Sequence, residues 1–228
     1  MDEKLEAAKD RAWRAVSAID DAYARSAMDD EGWHRAMAAV CVPAYLAAKD
    51  ERGGSGHTGT AEDWEWSRGI VAEALDRDGA FLDVGCANGL LMESVVRWAS
   101  AHGRAIEPHG LDIAPELAEV ARARLPLWAD YIHVGNALGW RPPRRFDFVR
   151  TGLEYVPRPR RPRLVAWLLD HVVAPSGRLI IGKYNEETED RAIERALVDW
   201  GLRVSGRAER HHRTEPRLRY RVVWIDAG

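Results

Sequence analysis

Phe81-Leu82-Asp83-Val84-Gly85-Cys86-Ala87-Asn88-Gly89-Leu90 decides the reading of this chain. An apolar run meets an acidic residue, a glycine-rich turn follows, and a helical pattern runs from Leu90 through Trp98. The stretch predicts a strand, a tight turn and a helix. Gly85 and Gly89 let the backbone approach a ligand with no Cβ in the way, and the small Ala87 keeps the turn thin. The helix behind the turn directs free N–H groups at whatever sits there. A dinucleotide fold would carry G-x-G-x-x-G here, with its acidic residue only later. In this chain Asp83 stands two residues before the first glycine, giving D-x-G-x-x-x-G. Alone, such a turn also joins strands to helices in α/β proteins that bind nothing at that point.

The sequel narrows the choice. A short apolar strand, Gly110-Leu111, ends at Asp112, where a carboxylate acceptor for two ribose hydroxyls belongs. Ile113-Ala114-Pro115-Glu116 then opens a helix, with Pro115 in the first turn, where its missing N–H costs nothing. A third strand, Tyr131-Ile132-His133-Val134, leads into Gly135-Asn136-Ala137. A fourth, Phe146-Asp147-Phe148-Val149, leads into Arg150-Thr151-Gly152-Leu153-Glu154-Tyr155-Val156-Pro157, and Pro175-Ser176-Gly177-Arg178-Leu179-Ile180-Ile181-Gly182 reads as a turn into a fifth.

In order and spacing, residues 79 to 184 resemble the class I S-adenosylmethionine (SAM)-dependent methyltransferases. The first stretch is similar to that family's D/E-x-G-x-G-x-G, with Ala87 in place of the middle glycine. Asn136 stands where the family often has the acid of G-D-A, and residues 153–157 look like its L-E-H-V-P run. Residues 175–182 resemble its L-x-P-G-G-x-L turn. The resemblance implies SAM as cofactor and S-adenosylhomocysteine (SAH) as product. It implies a cofactor site at Asp83, Gly85, Cys86, Ala87 and Gly89, then Asp112 and Ile113, Asn136 and Ala137, and Thr151. The Asn136 amide oxygen can accept from the adenine amino group.

The same resemblance implies a seven-stranded, mostly parallel Rossmann-like α/β sheet with helices on both faces. Thr188 to Trp200 reads as a helix, Arg203 to Arg210 as strand six, and Leu218 to Ile225 as a closing antiparallel strand. Residues 1–60 form a separate unit in this reading: two helices and a linker, followed by the methyltransferase domain at 61–228. Trp13, Val16, Ile19 and Tyr23 share one helical face, and a second helix runs from Trp33 to Lys49 with a kink expected at Pro43. Arg52 to Gly59 is a glycine-rich linker, and a helix from Asp63 to Leu75 precedes the motif strand. The N-terminal helices are expected to fold over the cofactor as a lid; capping a sheet edge or forming a homodimer contact is the other reading.

Methyl transfer from a sulfonium is an in-line displacement, and alignment alone is worth about 7–11 kcal/mol. A general base matters only where the acceptor is protonated, so titratable groups at the carboxyl ends of the later strands are the catalytic candidates. Glu154 and His211 are named for that role. Glu154 could equally charge a helix entry, and His211 beside His212 in an arginine-flanked turn could be solvated surface. His57 on the linker could reach the cofactor, and Trp64 and Trp66 could stack on adenine or an aromatic acceptor.

Composition sets limits. At 228 residues the chain suits one domain plus an appendage. A net charge of −3 argues against a dedicated nucleic-acid partner, although residues 141–163 concentrate arginine. The two cysteines, Cys41 and Cys86, lie far apart, with no disulfide framework or metal-ligand spacing, which points to a cytoplasmic location and no metal. No apolar leader and no run of about 18 apolar residues stands in the sequence, so no membrane association is expected. The expected function is methyl transfer to oxygen or nitrogen of a small-molecule acceptor. An RNA or protein methyltransferase and a non-catalytic SAM-binding module are the alternatives.

Overall fold

A computed structural model describes residues 3–186, 191–215 and 218–228. Its strands are β1 (Gly79–Val84), β2 (Ile106–Asp112), β3 (Ile132–Val134), β4 (Phe146–Thr151), β5 (Val173–Glu186), β6 (Gly206–His211) and β7 (Arg219–Asp226). They form one sheet in the order β3-β2-β1-β4-β5-β7-β6. Every pairing from β3 to β5 is parallel, and β7 runs antiparallel to both β5 and β6.

Parallel neighbours need crossovers, and here helices supply them on both faces. α4 (Leu90–Ser100), α5 (Pro115–Arg124) and α6 (Arg161–His171) lie between strands of the parallel part, while α3 (Ala61–Arg68) precedes β1 and α7 (Ala192–Asp199) follows β5. Successive side chains of a strand point to opposite faces. Accordingly Phe81, Phe148 and Ile180 pack with Trp64, Val95 and Trp98 on one face. Leu82, Val149 and Ile181 pack with Leu164, Leu168 and Leu197 on the other. Burial on both faces is why β1 reads as a continuous apolar run rather than an alternating one.

Local chemistry moves several boundaries from their sequence-based positions. The second N-terminal helix, α2 (Asp30–Leu46), starts earlier than Trp33 because the Asp29 carboxylate accepts from Gly32 N, and it stays one helix through Pro43. The helix expected to reach Leu75 stops at Arg68 and continues as a 3₁₀ segment, Gly69–Ala74. A capping box of Thr60 and Asp63 opens α3. β2 is longer than Gly110-Leu111, and the start expected for the helix at Thr188 lies outside the described residues.

The N-terminal pair, α1 (Glu3–Ala24) and α2, is tied together by Trp33 Nε1 donating to Asp20 (3.0 Å) and Tyr23 OH donating to Asp30 (2.5 Å). α2 then lays Val42 and Tyr45 against Ala87, Ala114 and Leu117, at the carboxyl ends of β1 and β2. Among the described residues, no helix is long and apolar enough to cross a membrane.

Candidate active site

The strand order reverses beside β1, between β2 and β4, and in open α/β sheets the crevice at the strands' carboxyl ends there is where ligands bind. The Gly85–Gly89 loop occupies that point. Gly85 N and Cys86 N both donate to Leu111 O, at 2.7 and 3.1 Å, so the loop is pinned to β2. Gly85 (φ +75°), Ala87 (φ +48°) and Gly89 (φ +77°) are all left-handed. That conformation costs a residue with a Cβ about 1–2 kcal/mol, so Ala87 is held there against its preference.

What holds it is Asp112. One carboxylate oxygen accepts from Ala87 N at 2.8 Å and the other from Ala114 N at 2.9 Å. The group is buried, and that burial raises its pKa while the backbone donors oppose the rise. Each oxygen keeps a second lone-pair direction for another donor. The helix end is less open than the sequence implied. Asn88 Oδ1 accepts from Leu90 N (3.1 Å), while Asn88 Nδ2 donates to Glu51 O (2.7 Å), tying the motif loop to the segment after α2. Cys86 is buried among Met92, Ala118 and Leu125, so the core takes its thiol.

β4 contributes Arg150, one of the arginines concentrated in residues 141–163. Asp83 and Arg150 are register partners on β1 and β4. Arg150 Nη1 donates to Asp83 at 3.2 Å and to the Tyr155 hydroxyl at 2.9 Å. Both ions are almost fully buried, and burial pushes the Asp83 carboxyl up to about 6 against the pull of the guanidinium. Tyr155 in turn lays its ring on Gly85, where an added Cβ would come within 2.6 Å of Cζ. The first loop glycine, the motif acid and the segment after β4 are thus one packed unit. The signal in the sequence was an arginine in a strand whose other charged residue is Asp147.

The remaining candidates divide. Ile113 is exposed at the tip of β2, an apolar side chain beside Asp112. Asn136 is exposed, and its amide oxygen accepts from Leu138 N at 2.9 Å in a local turn, which leaves one lone pair. Ala137 is buried in the core, and Thr151 is buried with its hydroxyl on Gly152 O at 3.3 Å. Glu154 is exposed, in a 3₁₀ turn (Leu153–Tyr155), and its carboxylate folds over Gly152. It acts electrostatically on Tyr45, Tyr155 and Arg161, which places it where α2 meets the end of β4.

His211 is not brought there: it ends β6, three strands beyond β4, a separation of about 14 Å. It is exposed, with Nε2 at 3.2 Å from Arg219 Nη1 and its carbonyl accepting from Trp66 Nε1. Trp33 and His34 are buried within the α1–α2 pair, so of the aromatic residues on α2 it is Tyr45 that faces the loop. Burial pushes the Tyr45 phenol up to about 12, keeping it a neutral hydroxyl. Among the described residues, four of the eight arginines in residues 141–163 have a polar partner. Arg144 pairs with Glu107 and Arg160 with Asp30, Arg145 donates to Val173 O and Asp170 O, and Arg150 is internal. Among the described residues no cluster of potential metal ligands occurs.

No protein-family model matches this chain. It is 32% identical over 127 residues to the mitochondrial ubiquinone biosynthesis O-methyltransferase of Schizosaccharomyces pombe, a match covering 54% of this chain and 44% of that one. The chain therefore spans less than half the length of that relative. Among solved structures it superposes on the Burkholderia thailandensis 1,6-didemethyltoxoflavin-N1-methyltransferase, which holds 1,6-didemethyltoxoflavin and SAH. The TM-score is 0.63 at 14% identity, over 88% of this chain and 91% of that one. The N-methyltransferase NodS of Bradyrhizobium japonicum WM9, solved with SAH, gives 0.53 at 15% identity, over 80% and 94%. This is the class I SAM-dependent methyltransferase fold. In that fold the Gly85–Gly89 loop and Asp112 occupy the carboxyl-edge crevice that the sequence motif implied.

Proposed function

We propose that this chain is a SAM-dependent methyltransferase acting on an oxygen or nitrogen of a small molecule. The observation that carries the proposal is the buried Asp112 carboxylate at the tip of β2, bonded to the glycine-rich loop yet with acceptor capacity left on both oxygens. The residues suit the cofactor: Asp112 would take the ribose hydroxyls, Ile113 and the free lone pair of Asn136 would meet the adenine, and Gly85 would admit the methionine portion. When bound, SAM supplies an electrophilic methyl group on a sulfonium.

This chain's own groups then have to align an acceptor and exclude water, and Tyr45 and Val42 of α2 cover the loop in a manner suited to both. Glu154, at the seam of α2 and β4, is the group we assign to orient the acceptor or accept its proton. A small acceptor is supported by the net charge of −3, which disfavours a polyanionic partner.

Calorimetry with SAH and SAM tests the cofactor: micromolar binding is expected, and binding of NAD with neither of these would overturn the proposal. Transfer itself is tested by SAH release across an acceptor panel. Glu154→Gln is expected to lower kcat about a hundredfold with SAM affinity intact. A change below about threefold would mean that the enzyme works by alignment alone.

A further inference from the structure

Arg68 closes α3 with its guanidinium stacked 3.6 Å from the Tyr184 ring centroid and 5.6 Å from that of Trp64. Its one hydrogen-bond acceptor is the Ser67 hydroxyl, at 3.3 Å. No carboxylate among the described residues lies within ion-pair distance of it, although nearly every arginine around it has one. The groups acting most strongly on it are Tyr184, Arg150, Tyr155 and Tyr220. Beside it, the Tyr184 hydroxyl, Arg150 Nε and His57 Nε2 are buried without hydrogen-bond partners. His57 stands edge-on to Trp64 with ring centroids 5.5 Å apart.

An unpaired, partly buried guanidinium is unfavourable, and stacking on aromatic faces leaves its N–H donors unmet. Buried donors without partners, gathered around such a cation, describe a site built for something that is both planar and negatively charged. Its position gives the role. Arg150 links it through the Tyr155 hydroxyl to the ring lying on Gly85, so it adjoins the cofactor loop on the β4–β5 side.

We propose that Arg68, Tyr184 and His57 form the acceptor's anion subsite, taking a planar anionic group such as a carboxylate or an acidic phenol or enol on an aromatic acceptor. This rests on the methyltransferase reading and specifies the substrate class within it. Arg68 meets the anion through paired N–H donors, the Tyr184 hydroxyl adds a third, and the Trp64 and Tyr184 rings hold the guanidinium in place. Burial lowers the His57 pKa to about 4, so the imidazole stays neutral and adds no second cation.

Benzoate and the isosteric neutral benzamide are the probes, titrated into the SAH-loaded full chain by calorimetry. Benzoate is expected to bind about tenfold or more tightly than benzamide, the yield of one charge-assisted contact. Arg68→Gln should abolish that preference with SAH affinity unchanged, which also shows the variant folded, and Arg68→Lys should keep part of it. Tyr184→Phe should weaken benzoate several-fold while sparing benzamide. No benzoate preference in a wild-type chain that binds SAH overturns the subsite alone. If Arg68→Gln weakens SAH but spares 5′-methylthioadenosine, which lacks the methionine carboxylate, Arg68 serves the cofactor and the inference is overturned. Failure of the wild-type chain to bind SAH or SAM overturns the proposed function, and this inference with it.

Discussion

Asp112 does two jobs with one carboxylate, and that duality sets what its loss should do. It orders the loop by accepting from Ala87 N and Ala114 N, and under the proposed function its remaining lone pairs would take the ribose hydroxyls. Asp112→Ala orphans two buried donors, each worth about 1–3 kcal/mol, so the midpoint of denaturant unfolding should fall. SAH affinity should fall at least about tenfold as well, one charge-assisted bond's worth. A folded variant with unchanged SAH binding in calorimetry would confine the carboxylate to the loop. Gly85 is constrained from two sides: its φ of +75° disfavours any Cβ, and an added Cβ would lie 2.6 Å from Tyr155 Cζ. Gly85→Val should therefore abolish SAH binding and also lose stability, by about 1–2 kcal/mol from the backbone alone. Retained SAH affinity in a folded Gly85→Val chain would show that the cofactor does not approach this glycine.

At the scale of elements, the parts of the site that were legible are those in which one short segment carries its own reason. Asp83-x-Gly85 and Asp112 announce themselves because a glycine turn and an acidic strand tip are local features. Arg150 was not legible, since its partner Asp83 lies 67 residues away and only the β1–β4 register unites them. Nor does β4 alternate: both faces are covered, so an inward arginine leaves no periodic trace. His211 differs for the converse reason: expected in the turn after strand six, it is the last residue of β6, whose place in the sheet order puts it far from the crevice. The β1–β4 pair also makes a measurable claim. Arg150→Met leaves the Asp83 carboxylate buried without its cation and should cost about 3–5 kcal/mol. Adding Asp83→Asn should recover much of that loss, because the uncompensated charge is then gone. Denaturant unfolding of the two single variants and the double variant checks this, and simple additivity would mean that the two groups do not interact.

At the scale of the whole molecule, the fold and its cofactor edge follow from the seven-strand order, whereas the role of the N-terminal helices depends on what they touch. The sequence reading expected those helices to fold over the cofactor as a lid. The structure spends Trp33 on joining α1 to α2, buries His34, and leaves Tyr45 and Val42 for the loop. Glu51 O adds a hydrogen bond from Asn88, so the covering segment is fastened to the residue that also caps α4. Removing residues 1–50 uncovers Ala87, Ala114 and Leu117 but leaves both sheet-face cores intact. The shortened chain should therefore still unfold cooperatively, with its helical circular-dichroism signal reduced by the share that α1 and α2 carry. Burying one side chain of the Val42 or Tyr45 kind is worth about 1.5–3 kcal/mol, so a loop deprived of both should bind SAH about tenfold or more weakly. Tyr45→Ala in the full chain should reproduce part of that loss without the risk of truncation. If the truncated and point variants both bind SAH and turn over as the full chain does, the helices are packing elements, and the crevice is closed over the cofactor by something other than α2.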